Sequence, residues 1–394
     1  MSSSTLAAAD RAGGHYLKLV WLTLGLALAY LCVAMSLPVT PVFVSNRLGF
    51  GNALAGLAVG VTFASTILTR GVAGQVSDRR GGKYCMVRGL GIYLLAGLVC
   101  GGAGWPSLPP GAAYGVLIVG RLLLGWGESL VTVGLVTWAL GIGGPGQAGR
   151  VFALIGMGLY GAFTVGSPVG VALFDGLGFT GVMAACTAVP LIGLAMVLPV
   201  AGVAPLGGER PPIWRILGQV CQPGMVVFFA GVGFAAIGAF MTLLFLRQGW
   251  PHAGLGLSCF GAAFVLVRLL GAHLPDRFGS IPVALVSMVV EAAGQYAMWR
   301  ADGPGLALAG AMLSGAGCSL IYPAMGIEVV RRVQPHLRGT ASGGFAAFQD
   351  LAFGLTGPLA GLLADRFGYS VVFLVGGVSA SLGVALLMIL TRNR

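Results

Sequence analysis

Six ionisable side chains, Arg70, Arg121, Glu128, Arg268, Glu291 and Asp350, fall inside long apolar stretches of this sequence. A bare charge in apolar surroundings is costly, so each must find a partner there or serve a purpose. Arg121 and Glu128 are seven residues apart. On a helix they share a face about 10 Å apart, too far to touch but able to point into one cavity. Burial favours the neutral acid while a nearby cation favours the carboxylate, so Glu128 suits a protonation switch or a structural hydrogen bond to a neighbouring helix. Asp350 is the one acid inside its stretch and is a candidate for proton or substrate handling. Arg70 and Arg268 each stand eight residues before an aspartate, Asp78 and Asp276, which places them about 12 Å deeper along a helix. Such a pair could grip an anion from two sides, or serve as counter-ions to Asp350 or Glu128. Glu291 is a candidate for the same cavity, although Gln295 at i+4 could satisfy it.

The other acids read as ordinary. Glu328 precedes Arg331 and Arg332 at i+3 and i+4, the pattern of a solvated helix-end pair. Asp10, Asp175, Glu209, Asp302 and Asp365 fall in loops or the N-terminal tail, and Trp126, Trp138, Tyr160 and Tyr322 read as packing residues. The seven cysteines form no C-x-x-C pair and the four histidines are dispersed, so no metal site is expected. There is no Gly-x-Ser-x-Gly elbow and no phosphate-binding loop, which argues against an enzyme.

The elements that carry these residues follow from composition. Of 394 residues, 57% are hydrophobic and 8% charged, against roughly 25% charged in soluble proteins. So few charges exclude both a soluble globule and a disordered chain. The apolar runs predict twelve membrane-spanning helices, near 17–44, 53–76, 84–104, 112–138, 150–174, 179–203, 223–246, 254–274, 281–300, 304–330, 340–363 and 368–391. Residues 1–16 are polar or small, lack the apolar core of a signal peptide and read as an N-terminal tail. The 68 glycines follow no collagen period and suit close helix packing in a bilayer.

With the N-terminus in the cytoplasm, 15 of the 22 basic residues fall at cytoplasmic ends and 4 at outer ones, with Arg70, Arg121 and Arg268 inside spans. This bias is the positive-inside pattern and puts both termini in the cytoplasm. The net charge of +11 then faces an anionic membrane leaflet and leaves no segment for nucleic acid.

The chain also repeats itself. Arg70, Asp78-Arg79 and Gly81 return as Arg268, Asp276-Arg277 and Gly279 at an offset of 198. Gly125-x-Gly127 returns as Gly315-x-Gly317, Ser167-Pro168 as Gly357-Pro358, and Asp175-x-x-Gly178 as Asp365-x-x-Gly368, all at 190. Two six-helix halves, 17–203 and 223–391, are expected, joined by a cytoplasmic linker at 204–222, with a substrate site between them. An aspartate at the end of one helix, near the N-terminus of another, would form a latch present in one conformation only.

These residues resemble the major facilitator superfamily over nearly the whole chain. Gly74-Gln-Val-Ser-Asp78-Arg79-Arg80-Gly81-Gly82-Lys83 is similar to that family's signature loop, Gly-x-Leu-Ala-Asp-Arg-x-Gly-Arg-Arg, departing at Val76, Ser77 and Gly82. Arg121, Gly125, Gly127 and Glu128 resemble the Arg-x-x-x-Gly-x-Gly motif of its proton-coupled members, and Tyr322 to Gly361 resembles a bacterial efflux-permease branch. The small-residue motif of helix 5 is loosely met by Gly166, Pro168 and Gly170, with Ser167 where glycine would precede proline; helix 11 matches better at Gly357-Pro358. The resemblance implies an all-α fold, gating by Gly74, Asp78, Arg79 and Gly81 with Asp276 and Arg277 as a second copy, and proton coupling through Arg121, Glu128 or Asp350. It further implies a monomeric inner-membrane exporter of a small organic solute, driven by protons without a cofactor; the two arginines, Arg70 and Arg268, point to an anionic or zwitterionic solute. Solute–proton symport and a non-transporting sensor are the alternatives.

Overall fold

The computed structural model describes residues 3–143, 148–204, 217–333 and 338–392, and among these the chain is helical with no strand. In a bilayer each backbone amide must be satisfied within its own segment, which is why apolar runs of this length become helices. The helices are α1 (Ser3–Val42, ending in a π-helical turn Phe43–Arg47), α2 (Asn52–Arg80), α3 (Gly82–Gly102) and α4 (Pro110–Gly143). The run Ala148–Val197 holds two helices, because Gly178 breaks it with φ 67° and ψ −172°; α5 is 148–177 and α6 is 179–197. Then follow α7 (Leu217–Gln248), α8 (Leu255–Gly271), a short turn of helix Leu274–Phe278, α9 (Ser280–Trp299), α10 (Pro304–Arg332), α11 (Arg338–Phe367) and α12 (Ser370–Arg392).

A helix occupies each of the twelve expected spans, and among the described residues nine helical runs, with 154–197 counted as one, are long and apolar enough to cross a membrane; α8 is shorter, at 17 residues. The expected tail 1–16 is helical from Ser3 and continuous with α1, as its alanines favour. The expected linker 204–222 ends early, since α7 starts at Leu217 and carries Pro223 inside it; residues 205–216 lie outside the described residues.

The duplication is written into the turns. Among the described residues six glycines have positive φ, and they pair between the halves: Gly49 with Gly249, Gly81 with Gly279, and Gly178 with Gly368. A side chain at these φ values is strained, so glycine is what lets each copy turn between consecutive helices. Packing repeats too. A Cβ on Gly125 would lie 2.0 Å from the Thr62 carbonyl oxygen, and one on Gly315 would lie 2.1 Å from that of Phe260. The pairs Gly125/Gly315 and Thr62/Phe260 stand at offsets 190 and 198, so α4 sits on α2 as α10 sits on α8.

Between the halves, α2 packs on α11, α5 on α8 and α1 on α7. The α2–α11 seam is closest at one end: a Cβ on Gly56 would come within 2.0 Å of the Gly357 carbonyl oxygen, and one on Gly361 within 2.3 Å of that of Asn52. Gly166 and Gly170 give α5 its close approach to Ala34 and Met35 of α1, and Pro358 packs beside Gly60. The serine that interrupts the helix 5 motif has a bond of its own: Ser167 Oγ donates to the Gly254 carbonyl across the halves, at 2.8 Å.

Candidate functional site

Arg70 and Asp350 meet across the boundary between the halves. Arg70 Nε on α2 donates to Asp350 Oδ2 on α11 at 2.5 Å, with the side chains 22% and 7% exposed. The pair lies beyond the tight Gly56–Gly357 seam, where α2 and α11 leave room for side chains between them. Glu128, on α4, is buried beside this pair and within its electrostatic reach. Its Oε1 accepts the Tyr30 hydroxyl of α1 at 2.9 Å, and Tyr30 also reaches Thr132 Oγ1 at 3.3 Å. Glu128 Oε2 is buried with no hydrogen-bond partner. Arg70 therefore has two acids near it, one on each half: bonded Asp350 and, within the N-terminal half, Glu128.

Arg268 occupies the equivalent position on α8 in different company. One Nη2 hydrogen goes to the Ser319 carbonyl of α10, the guanidinium carbon sits 5.0 Å above the Phe264 ring, and Nε is buried without a partner. No carboxylate lies within ion-pair distance of it among the described residues. Its electrostatic neighbours are Tyr160, Cys318 and Tyr322. Tyr160 stacks on Phe264 at 3.6 Å, and its hydroxyl accepts a long 3.4 Å bond from Gln349 Nε2. At the offset of 190, Tyr160 corresponds to Asp350 and Cys318 to Glu128. Tyr160 and Tyr322, read from sequence as packing residues, thus also border a cation. The repeat offset was the signal that would have singled out Tyr160 and Cys318.

The remaining expected site residues are dispersed. Arg121 is buried within the N-terminal half, donating Nε to the Ala58 carbonyl and Nη1 to Ser36 Oγ, each at 3.0 Å, and it stays within electrostatic reach of Glu128. It so ties α4 to α2 and α1, and it lines a small pocket with Cys32, Cys100 and Cys186. Glu291 is not in the boundary cavity with Arg70 and Arg268. It is fully buried against Gly233 of α7 and Gly317 of α10, and Gln295 does not satisfy it, because Gln295 Nε2 donates to Ser314 Oγ at 2.9 Å. Both Glu291 carboxylate oxygens lack a partner in the structure. Glu328 is not a solvated acid: it is buried and accepts the Ser280 hydroxyl, with Arg331, itself 60% exposed, at 3.5 Å.

At the loop ends, Gly81 and Gly279 make the turns after Asp78-Arg79 and Asp276-Arg277. Asp276, Arg79 and Arg277 are exposed and Gly74 half-buried, whereas the Asp78 side chain lies outside the described residues. At the opposite end Asp365, taken from sequence as an ordinary loop residue, bonds across the halves. Its Oδ1 accepts Asn52 N at 2.9 Å and Asn52 Nδ2 at 2.7 Å, and its Oδ2 accepts Ala53 N at 3.1 Å. A carboxylate on the orphan amides of the α2 N-terminus satisfies them and gains from the helix dipole. Tyr369 completes the cap by donating to Asn52 Oδ1 at 2.9 Å. Its recurrence in Asp175-x-x-Gly178 and Asp365-x-x-Gly368 was the available signal. No cluster of three or more metal-ligating side chains occurs among the described residues.

Comparison with known proteins agrees with this architecture. The family model described as Major Facilitator Superfamily matches residues 22–255 and 224–394. An uncharacterized MFS-type transporter of Salmonella typhimurium is 40% identical over 372 residues, covering 93% of this chain and 94% of the relative. One of Burkholderia mallei is 38% identical over 373 residues, covering 93% and 90%. Among solved structures, a point mutant of the nucleoside transporter NupG superposes with a TM-score of 0.76 at 15% identity, covering 94% of this chain and 99% of that one. A D-xylose-proton symporter gives 0.78 at 16%, covering 94% and 96%. The chain belongs to the major facilitator superfamily, as a multi-pass membrane transporter of small molecules and not an enzyme.

Proposed function

We propose that the chain is a proton-coupled secondary transporter of a small organic solute in the inner membrane, exporting by antiport, with the Arg70–Asp350–Glu128 cluster as its coupling device. The observation that carries this reading is an ion pair across the two halves, beside a buried acid whose Oε2 has no partner. While Asp350 is ionised, Arg70 ties the halves together. A proton on Asp350 releases Arg70, which then has Glu128 of its own half as counter-ion, and the boundary can open. Protonation so becomes a conformational bias, and the solute shifts the balance by its differential affinity for the two states.

The basic loops around Arg79 and Arg277 support an orientation with that end in the cytoplasm. The Asp365 cap and the Gly56–Gly357 seam then close the outer end in this conformation, and Asp78 and Asp276 are the matching inner gates in the other. Residues 17–203 and 223–391 move as the two rocking units, and one chain carries the whole pathway, so a monomer suffices. Uptake by symport is the alternative, and the D-xylose-proton symporter shows that this fold accommodates it in another protein.

The test is proton movement in proteoliposomes, followed with a trapped pH-sensitive dye while solutes are added under an imposed pH gradient. Wild-type protein is expected to move protons with solute, outward solute flux accompanying inward proton flux, and Glu128→Gln to move none. Proton flux unchanged in Glu128→Gln would remove the cluster from the mechanism, and solute and protons moving in the same direction would select symport.

A further inference from the structure

The two halves place an arginine at the same depth with opposite surroundings. Arg70 has Asp350 bonded to it and Glu128 within electrostatic reach. Arg268 has in their places Tyr160 and Cys318, both uncharged, with Tyr322 beside them. The equivalence does not rest on numbering alone, because the backbone approaches Gly125–Thr62 and Gly315–Phe260 hold α4 on α2 and α10 on α8 in the same register. Among the described residues the fold thus contains one arginine whose counter-ions are built in and one with no carboxylate within ion-pair distance. A cation held at that depth without a carboxylate is unfavourable unless something anionic reaches it.

We propose that the carboxylate of a monoanionic solute supplies the missing counter-ion at Arg268. The inference deepens the transport reading above, and rests on it, by naming the substrate class of the boundary cavity. The receiving groups are already set. Ser319 fixes the guanidinium through Nη2, leaving Nε buried and unbonded. The Tyr160 hydroxyl accepts from Gln349 and keeps its own hydrogen to donate. The space is open on the α5 side, since a Cβ on Gly156 would meet only Arg268 Nη1, at 3.8 Å. The half-buried Tyr322 ring is left for the apolar remainder of the solute. A dianion such as a phosphate monoester would need a second cation, and Arg70 is already held by Asp350. That restricts the class to monoanions, and among these a carboxylate matches the planar guanidinium fork.

The experiment is binding to purified, detergent-solubilised protein with no pH gradient, using acetate, lactate, benzoate and indole-3-acetate against benzamide and phenyl phosphate. At least one carboxylate is expected to raise the melting temperature, and the amide and the phosphate ester are not. Arg268→Ala should weaken carboxylate binding on the order of 10- to 100-fold, the loss of a charge-assisted hydrogen bond. Arg268→Lys should recover part of it as a charge without the planar fork. Tyr160→Asp, which puts an internal carboxylate where the repeat has one, should abolish it. Should these variants fail to fold, the native protein gives the same answer: the bound carboxylate should protect Arg268 from phenylglyoxal, read by peptide mass spectrometry. No carboxylate binding to cooperatively melting wild-type protein, equal binding of benzamide, or unprotected Arg268 would each overturn the proposal. A chain that binds carboxylates yet moves no protons would sink only the coupling reading, and one that moves protons with a neutral solute would sink only this one.

Discussion

Around Arg70 the acids are on the chain; around Arg268 none lies within ion-pair distance among the described residues. Both arginines descend from one position of a duplicated unit, and both point toward the boundary between the halves. The difference teaches how a symmetric scaffold acquires two tasks. With Asp350 bonded and Glu128 nearby, the N-terminal arginine is balanced internally, so the species it can exchange is a proton. With Tyr160 and Cys318 in their places, the C-terminal arginine is left to be balanced from outside. The seams beside them differ as well: α2 is capped by Asp365 of α11, whereas Asp175, the repeat counterpart, is exposed and makes no such bond to α8 among the described residues.

The comparison can be broken most severely at the ion pair. Asp350→Asn takes the bonded acid from Arg70 and leaves only Glu128 beside it, and removing one partner of a buried pair costs up to about 3–5 kcal/mol. Thermal melting should fall steeply, and adding Arg70→Gln should recover much of it. The same substitution of Arg268 to Gln should destabilise far less, since no carboxylate is orphaned. Next in size is the outer seam. Gly56→Val places a side chain where a Cβ already comes within 2.0 Å of the Gly357 carbonyl oxygen. The outer end should then stay open, raising the thiol modification rate of a cysteine placed near Asn52 more than about tenfold over the parent, a bias above roughly 1.4 kcal/mol. A gentler push at the same place is Asp365→Asn, which removes the charge from the α2 cap and costs about 1 kcal/mol. It should shift the same population about fivefold, read by the distance between spin labels at the outer ends of α2 and α11. An unchanged distance would mean the cap does not latch the halves.

Much of the architecture was legible because apolar run length and turn glycines are local. Gly81, Gly178, Gly279 and Gly368 stood out by repetition and all proved to be positive-φ turns. The partner of Arg70 was legible only as one alternative among Asp350, Glu128 and a bound anion, because helix rotation is set by packing against distant segments: Arg70 and Asp350 are 280 positions apart in sequence. The same dependence hid the burial of Glu328 under Ser280 and the isolation of Glu291 from Gln295. Asp365 was read as surface because a loop acid and a helix cap look alike until the α2 N-terminus is placed beside it.

The central claim is that an acid of the Arg70 cluster carries the exchangeable proton, and it can be tested without knowing the solute. Infrared spectroscopy of purified protein across a pH series reports the carbonyl stretch of a protonated carboxylic acid. A band that titrates in the wild type, disappears in Asp350→Asn and persists in Glu291→Gln is the predicted result. A titrating band that survives unchanged in Asp350→Asn would contradict the account.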